Sequence, residues 1–328
     1  MPVTSKDIAR ELQLSQSTVS RILSGAPGHR ASNGTRRRVE EAARRLGYQP
    51  NAIAQSLRQG RTRIIGLYTN HDYDARNEFL GTIIGALQRA CEHLDLDLLL
   101  HSALMGRSPE ETFGRLRDGR IDGLILHANQ NDPLVALLGS SPLPVVAIAD
   151  LLPDLHSVIC DDADGMRQLM MFLWERGYRR FVFLSPDYEL TSVERRHAAF
   201  HSEMARHQVD AKDQAVFPIP NEQAEHALDR ILAFGKGCAV ICWNDRTAYN
   251  LLRACQTRDL RVPDDLGIAG FDGFPNDKNP AHQLVSVRCP WDRLAAVALE
   301  ALNACVEGIP DVPREICLPV SLLPGDTV

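Results

Sequence analysis

The sequence lacks any long apolar run. Within its 328 residues no stretch reaches the ~18 consecutive apolar residues that a membrane-spanning helix needs. The first residues also lack the apolar segment of a secretory signal. We therefore expect a cytoplasmic protein that does not contact a membrane, with enough length for two or three domains.

Recognisable catalytic and metal-binding patterns are also missing. We find no activated serine or cysteine motif, no glycine-rich phosphate loop and no HExxH pair. We therefore expect no enzyme activity, no cofactor and no metal site. His197 and His201 have the i, i+4 spacing that can bind a metal ion, but the sequence shows no third ligand beside them.

The eight cysteines are scattered, and most lie in apolar stretches, which is typical of buried thiols. The closest pair is Cys238 and Cys242. On a strand these side chains would share one face but lie ~13 Å apart, too far for a single ion. Buried thiols are the favoured interpretation, and a metal or redox role is the alternative.

Acidic residues are scarce in the first 63 positions, which hold four of them against twelve lysines and arginines. This segment has a net charge of +8, and the remainder has −14. A merely solvated charged surface would not sort the two signs to opposite ends of the chain. The asymmetry predicts a basic module that binds a polyanion, joined to an acidic body.

The basic segment reads as three short helices within residues 4–46. Thr4, Ser15 and Ser32 are placed to cap their N-termini, and Gly47 is placed to end the third. Residues 49–60 then predict one more short helix, flanked by proline and glycine. A helix so short is marginal alone in water and should form only when something supports it.

From Ile64 onward, apolar strand-like runs alternate with amphipathic helices in two successive sets. This alternation predicts two parallel sheets with helices on both faces. Ligands of open parallel sheets bind at the carboxyl ends of the strands, so the cleft between the two sheets is the expected binding site.

Several stretches resemble the LacI/GalR family of transcriptional regulators. VTSKDIARELQLSQSTVSRILSG is similar to the family's helix-turn-helix signature, and TRRRVEEAARRLGYQPNAIAQSLRQGRTRIIGL to its third helix, hinge helix and first core strand. NEFLGTIIGAL, RIDGLIL, ERGYRRFVFLS, VPDDLGIAGFD and SVRCPW extend the likeness. The resemblance implies an α/β fold: a three-helix head and hinge helix, joined to a two-lobed periplasmic-binding-protein-like core of parallel sheets flanked by helices.

The resemblance also implies domain boundaries. We expect a DNA-binding domain at 1–48, a hinge helix and linker at 49–61, and an effector-binding and dimerisation core at 62–328. Lobe one is expected at about 62–160 plus 290–313. Lobe two is expected at about 161–289 plus 314–328.

Three departures from the family pattern bear on these expectations. The segment GHRASNGTR is about two residues longer than usual. Gly273 replaces an acid that often follows the preceding aspartate, and Ala149 stands where an aspartate is common, with Asp150 one place later. The chain also lacks the trailing heptad segment that makes some members tetramers, so a homodimer is expected.

The second helix is the expected DNA reader. Gln16 and Ser17 at its start, with Arg21 a turn later, would contact base edges in the major groove. Phosphate contacts are assigned to Thr4, Ser5, Thr18, Ser20 and Asn51. In the family a leucine at the position of Leu57 wedges into the minor groove, and Arg58 beside it would enter the narrowed groove.

The expected effector contacts are Arg196, Asn244, Asp272 and Trp291, with Ser192, Asn70 and Phe79 as further candidates. Arginine, asparagine and aspartate together offer donors and acceptors for vicinal hydroxyls, so a sugar or related polyol is the expected effector. Each position also has a structural interpretation: a capped turn at Asp272, buried packing at Trp291, and an N-cap at Asn244 or Asp245. We interpret Asp245 as the N-cap.

Taken together, the sequence predicts a sequence-specific regulator, a repressor, that binds a pseudo-palindromic operator as a dimer under effector control. The alternative is a solute-binding protein of a sugar transport system, which would suit the core alone.

Overall fold

The computed structural model describes residues 3–24, 31–49, 51–70, 78–102, 106–187, 189–220, 223–274 and 282–328. The chain divides into two compact units, Met1–Arg63 and Ile64–Val328. None of the helices in the described ranges combines the length and apolarity that crossing a bilayer requires.

The regular secondary structure in the described part of the first unit consists of helices. Its helices are α1 (Ser5–Leu12), α2 (Gln16–Leu23), α3 (Asn33–Leu46) and α4 (Ala52–Gln59). Apolar side chains of α1, α2 and α3 form one small core: Ile8, Ala9, Val19, Ile22, Val39, Ala42 and Ala43.

The predicted caps of the first unit are present. The Asp7 carboxylate accepts hydrogen bonds from the backbone N–H and hydroxyl of Thr4, at 3.0 and 2.7 Å. Ser15 and Ser32 each accept a backbone N–H of the first turn that follows, at 3.1 and 3.2 Å. Gly47 ends α3 in the left-handed conformation, with φ 66°, which glycine adopts at little cost.

The second unit contains two sheets. The described strands of the first sheet pair in the order β11–β5–β4–β3–β1–β2, all parallel. They are β1 (Ile64–Thr69), β2 (Asp97–Ser102), β3 (Gly123–His127), β4 (Val145–Ile148), β5 (His156–Cys160) and β11 (Glu315–Leu318). The helices α5 (Glu78–His93), α6 (Pro109–Leu116), α7 (Pro133–Gly139) and α12 (Trp291–Val306) belong to this lobe.

The strands of the second sheet pair in the order β12–β10–β9–β8–β6–β7, parallel except for β12. They are β6 (Phe181–Ser185), β7 (Gln214–Pro218), β8 (Ala239–Cys242), β9 (Gly267–Asp272), β10 (Val285–Arg288) and β12 (Ser321–Leu323). The helices of this lobe are α8 (Asp162–Glu175), α9 (Thr191–Arg206), α10 (Leu228–Phe234) and α11 (Asp245–Thr257). The two-lobed fold expected from the sequence is confirmed.

The chain crosses between the lobes after β5, after β10 and after β11. The third crossing corrects one expected boundary. Residues 314–328 were assigned as a whole to lobe two, but β11 pairs in parallel with β5 in the first sheet, with Leu318 opposite Cys160. Only the segment after β11 enters the second sheet, because β12 pairs antiparallel with β10.

Helix α8 packs against the second sheet through a glycine. A Cβ atom at Gly165 would lie 2.7 Å from Phe271 Cζ and 2.8 Å from Val287 Cγ1. The Phe271 and Val287 side chains beneath the helix would have to move to accommodate such an atom. Gly114 in α6 is the opposite case, since a Cβ there would meet nothing within 4 Å.

We expect Gly165→Ala to destabilise the second unit by about 1–3 kcal/mol through overpacking. Gly114→Ala is the matched control and should stabilise it by about 0.5–1 kcal/mol, because alanine lowers the entropy cost of forming a helix. Urea unfolding followed by circular dichroism measures both changes. An equal, favourable effect of the two substitutions would contradict the tight packing of α8.

Candidate functional site

The outer side of α2 presents polar side chains to solvent. Gln16, Ser17 and Arg21 are exposed, whereas Val19 and Ile22 on the opposite side are buried in the small core. The exposed side chains therefore project from a helix held by its inner face. That is the arrangement a helix needs to enter the DNA major groove.

The hydroxyl and amide groups around the α2 N-terminus form one hydrogen-bonded group. Ser15 Oγ lies 2.8 Å from both Ser17 Oγ and Thr18 Oγ1. Gln16 Nε2 donates to Ser5 Oγ at 3.4 Å, which joins the start of α2 to α1. Thr4 is bonded to Asp7, and Ser20 lies half-buried on α2. Ser5, Gln16, Ser17 and Thr18 thus lie together near the α2 N-terminus, whereas Ser20 and Arg21 lie a turn later on the same helix.

Helix α4 carries the predicted wedge. Asn51 caps it by accepting the Ala54 N–H at 3.2 Å, and Gly60 ends it with φ 69°. The Leu57 side chain is 83% exposed, which leaves a large apolar group in water. Arg58 lies on the same helix, and its side chain is outside the described residues.

In the second unit, the predicted effector residues meet where the lobes face each other. Arg196 is 4% exposed and projects from α9. Its Nε donates to Asp162 Oδ1 at 2.8 Å, its Nη1 donates to the Trp243 carbonyl at 2.5 Å, and its Nη2 lies 3.5 Å from Asp272 Oδ1. Arg195 binds the second oxygen of Asp162, at 2.6 Å from Nη2.

The ion pairs set the protonation of this cluster. Burial by itself lowers the pKa of Arg196, but the carboxylates of Asp162 and Asp272 outweigh it and raise that pKa. Burial raises the pKa of Asp272 well above its ordinary value, and Arg196 offsets this only in part. Asp272 is therefore a carboxylate that further hydrogen-bond donors would stabilise as an anion.

The backbone at Asp272 adopts an unusual conformation. Its φ of 126° is rare for a residue with a side chain, and Gly273 follows with φ 74°. A Cβ at Gly273 would lie 2.6 Å from the Arg288 Cα. The acid that the family often has at this position would not fit here, which explains the departure noted in the sequence.

Asp150 reaches from the end of β4 to the other lobe. Its Oδ1 accepts the Ser192 N–H at 2.8 Å and the Thr191 hydroxyl at 3.2 Å, both at the start of α9. Leu190, the N-cap residue of α9, supplies no side-chain cap. Asp150 therefore caps α9 across the cleft. Burial raises the pKa of Asp150, but His127 and the Ser192 N–H outweigh it and lower that pKa.

An aromatic group borders the polar cluster. Trp291 donates its indole N–H to the Asp272 carbonyl at 3.0 Å and stacks on Phe274 with centroids 5.8 Å apart. Phe79 meets the edge of Trp291 at 5.2 Å and lies 4.8 Å from the His127 ring. His127 Nε2 is in turn 3.4 Å from Asp150 Oδ2.

The predicted effector residues therefore belong to one connected set. Arg196, Asp272 and Trp291 are joined directly, and Phe79 contacts Trp291. Ser192 is joined to Phe79 through Asp150 and His127. The backbone N–H of Asn70 donates to the His127 carbonyl at 3.3 Å, and its side chain donates to Asp132 at 3.0 Å. Asn244 follows Trp243 and accepts the Thr247 N–H at 2.8 Å.

Sequence reasoning missed three members of this set: Asp150, Asp162 and His127. The displaced aspartate after Ala149 was a visible signal for Asp150. Asp162 follows β5, and His127 is the last residue of β3. Both lie at carboxyl ends of parallel strands, where ligands bind, so this position could have suggested them.

One interpretation is wrong. Asn244, not Asp245, is the N-cap of α11. Asp245 is fully buried instead. Its Oδ1 accepts the Ser286 hydroxyl at 2.5 Å, and its Oδ2 accepts the Phe274 N–H at 2.8 Å. It thereby holds the turn that follows Asp272. Burial, partly offset by these hydrogen bonds, raises the pKa of Asp245 to about 6.

This pKa predicts a pH dependence. The folded state keeps the Asp245 proton to about pH 6, whereas the unfolded chain releases it near pH 3.8. The contribution of Asp245 to stability is therefore fully present below pH 3.8 and falls as the pH rises toward about 6. Asp245→Asn keeps the shape and an acceptor but does not titrate.

We expect the unfolding free energy of the parent minus that of Asp245→Asn to decrease as the pH rises from 3.8 to about 6. Urea denaturation at a series of pH values measures the difference, and Asp292→Asn, at an exposed carboxyl, is the control. A constant difference between parent and Asp245→Asn would show that Asp245 is ionised throughout.

Comparison with known proteins accounts for both units. The family model described as "Bacterial regulatory proteins, lacI family" matches residues 4–51, and the periplasmic binding protein-like domain model matches residues 170–328. The regulator GalR of Escherichia coli is 28% identical over 315 residues, covering 94% of this chain and 90% of that protein. Catabolite control protein A of Staphylococcus xylosus is 28% identical, covering 92% of each chain.

Solved structures show the same fold. The lac repressor dimer bound to operator and the anti-inducer ONPF superposes with a TM-score of 0.85 at 23% identity, covering 100% of this chain and 99% of that one. The regulator CelR in complex with cellobiose gives a TM-score of 0.72 at 21% identity, covering 99% and 100%. This chain belongs to the LacI family of bacterial regulatory proteins, whose members are DNA-binding regulators and not enzymes.

Proposed function

We propose that the protein is a transcriptional repressor that binds operator DNA through its first unit and is controlled by a small molecule held between the lobes of its second. The observation that carries this proposal is the joining of a basic helix-turn-helix unit to a two-lobed core with a connected polar cluster at the lobe junction. A solute-binding protein of a transport system would have no use for the first unit.

The proposed DNA contacts follow from the exposed side of α2. Gln16 can form a bidentate pair with adenine, and Arg21 with guanine, each worth about 1–3 kcal/mol of discrimination. Ser17 adds a base contact. The groups proposed to bind phosphates, which position the protein without reading sequence, are Thr4, Ser5, Thr18, Ser20 and Asn51.

The proposed assembly is a homodimer on a pseudo-palindromic operator. Two copies of α4 would then lie together over the central minor groove, with Leu57 inserted between base pairs and Arg58 beside it. An exposed leucine on an eight-residue helix is costly in an isolated chain, and the assembly on DNA would remove it from water. The lac repressor, with the same fold, is a dimer on its operator.

The proposed effector is a sugar or related polyol. Asp272 offers an acceptor, and Arg196 and Asn244 offer donors, for neighbouring hydroxyl groups. Trp291 and Phe79 offer apolar surface for the ring, and Ser192 and Asn70 complete the proposed site. The support from relatives is that CelR is solved with cellobiose, and a LacI-family regulator of Enterococcus faecium with ribose.

Control of DNA binding would then be a population shift. A ligand that binds one arrangement of the two lobes more tightly stabilises that arrangement and shifts operator affinity toward the value of that arrangement. The coupling is reciprocal, so the operator changes ligand affinity by the same factor.

The DNA part is tested by selecting duplexes from a random library with the purified full-length protein. We expect an inverted repeat to be enriched, with an affinity that falls steeply with salt, because many phosphates are contacted. Leu57→Ala should bind the selected site at least tenfold more weakly in fluorescence anisotropy, since the wedge is lost. Ile309→Ala, which truncates an exposed apolar residue of the second unit, is the control. Enrichment of no sequence would refute the proposal, and full affinity of Leu57→Ala would refute the wedge.

The effector part is tested with Arg196→Ala. We expect this variant to bind the selected operator but to lose the response to any sugar or polyol that releases or tightens the parent. Because the substitution removes the cation between Asp162 and Asp272 and leaves only Arg195 on Asp162, its fold is checked by thermal denaturation.

Asp272→Asn is the second variant for the same test. It preserves size and one acceptor while removing the charge, and we expect at least a tenfold weaker effector response. If both folded variants respond to the effector as the parent does, the ligand does not bind at this cluster.

A further inference from the structure

Helix α9 carries a second group of side chains, beside β7, that the proposed effector site does not use. His197 and His201 lie one helical turn apart, and a hydrogen bond of 3.0 Å, which a bound metal ion would replace, joins their Nε2 atoms. His201 is exposed and His197 half-buried, so both nitrogens lie at the protein surface. The two rings meet edge to face, with centroids 4.6 Å apart.

The position of the pair is fixed by its surroundings. The His197 ring stacks on Phe183 of β6 at 5.9 Å, and the His201 ring meets Phe200 at 5.5 Å. Both histidines border a cavity of about 570 Å³ between α9 and the edge strand β7, with Phe200 and Gln214 also in its wall. The nitrogens thus converge beside open space large enough for additional ligands.

The separation of the nitrogens matches a chelate. With metal–nitrogen bonds of about 2.0–2.1 Å, two nitrogens 3.0 Å apart subtend about 90–97° at a shared ion. That is the angle between neighbouring positions of square-planar or octahedral coordination, which Cu²⁺ and Ni²⁺ adopt. A tetrahedral ion would need the nitrogens about 3.3–3.4 Å apart.

The chemistry of the rings also suits metal binding. Imidazole is a favoured ligand for Cu²⁺ and Ni²⁺ when it is neutral. Within the described residues, no third His, Cys, Asp or Glu completes a cluster of metal ligands. Water or a small chelating molecule in the cavity would fill the other positions.

We propose that His197 and His201 form a surface site for a divalent transition metal ion of the Ni²⁺ or Cu²⁺ type, with coordination completed from the adjacent cavity. The spacing alone did not justify this conclusion, since it shows only that the two side chains share a helix face and the sequence offers no third ligand beside them. The converging nitrogens and the cavity are what the structure adds. Neither histidine belongs to the Arg196 cluster, so the site does not depend on the proposed effector.

The test is calorimetric titration of the full-length protein, without a histidine tag, with NiCl₂ at pH 7.5. Nickel is the probe because copper would also oxidise thiols. We expect one saturable site per chain. His201→Ala and His197→Ala should each weaken it by roughly tenfold or more, the cost typical of disturbing a metal site. The ion should also raise the melting temperature of the parent and not of the variants.

Two controls separate this site from other nickel ligands. His226→Ala removes an exposed histidine elsewhere on the same lobe, and Cys317→Ser removes the exposed thiol. Both should bind nickel as the parent does. Because His201 is exposed, its variant should fold normally, which thermal denaturation without metal verifies. Parent-like nickel binding by folded His201→Ala, or no saturable binding by the parent, would overturn the proposal.

Discussion

The guanidinium of Arg196 lies between the carboxylates of Asp162 and Asp272 and is almost completely removed from water. Burying an isolated charge costs many kcal/mol, and a buried pair offsets that cost only when its geometry and hydrogen bonds are good. Here the compensation is uneven. Asp162 is bound by two arginines, whereas Asp272 has a 3.5 Å contact and a raised pKa.

Asp272 is therefore the carboxyl group of the cluster whose ionised form would gain most from additional hydrogen bonds. Asp162 fixes Arg196, and Asp245 with Ser286 fixes the turn after Asp272, so neither group can relax toward the other. A ligand that donates hydrogen bonds to Asp272 would stabilise this carboxylate, which Arg196 stabilises only in part. A preorganised, weakly paired carboxylate of this kind gives selectivity, because a ligand without matching donors buries it further without improving its pairing.

The sequence was sufficient for features with local causes. The caps at Ser15, Ser32 and Gly47 depend on residues within one turn, and alternating strands and helices follow from apolar periodicity. The cluster itself was only partly predictable, because its contacts join distant positions: Arg196 to Asp162 across 34 residues and Ser192 to Asp150 across 42. No local pattern reports such pairs. The placement of β11 failed for a related reason, since a four-residue strand carries too little sequence to show which sheet it joins.

The cross-lobe cap explains how binding at the cluster can change the relation of the lobes. Asp150 of lobe one supplies the cap that Leu190 cannot, and Gln130 and Asn131 donate to Glu194 and Glu189 near the same helix start, at 2.7 and 2.8 Å. Opening the cleft would break these bonds together and leave the first N–H groups of α9 without their acceptor. Helix α9 also carries Arg196. Closure of the lobes and the binding of a ligand by Arg196 and Asp272 therefore both act on this helix. Each therefore stabilises the other, and the coupling requires no longer path through the core.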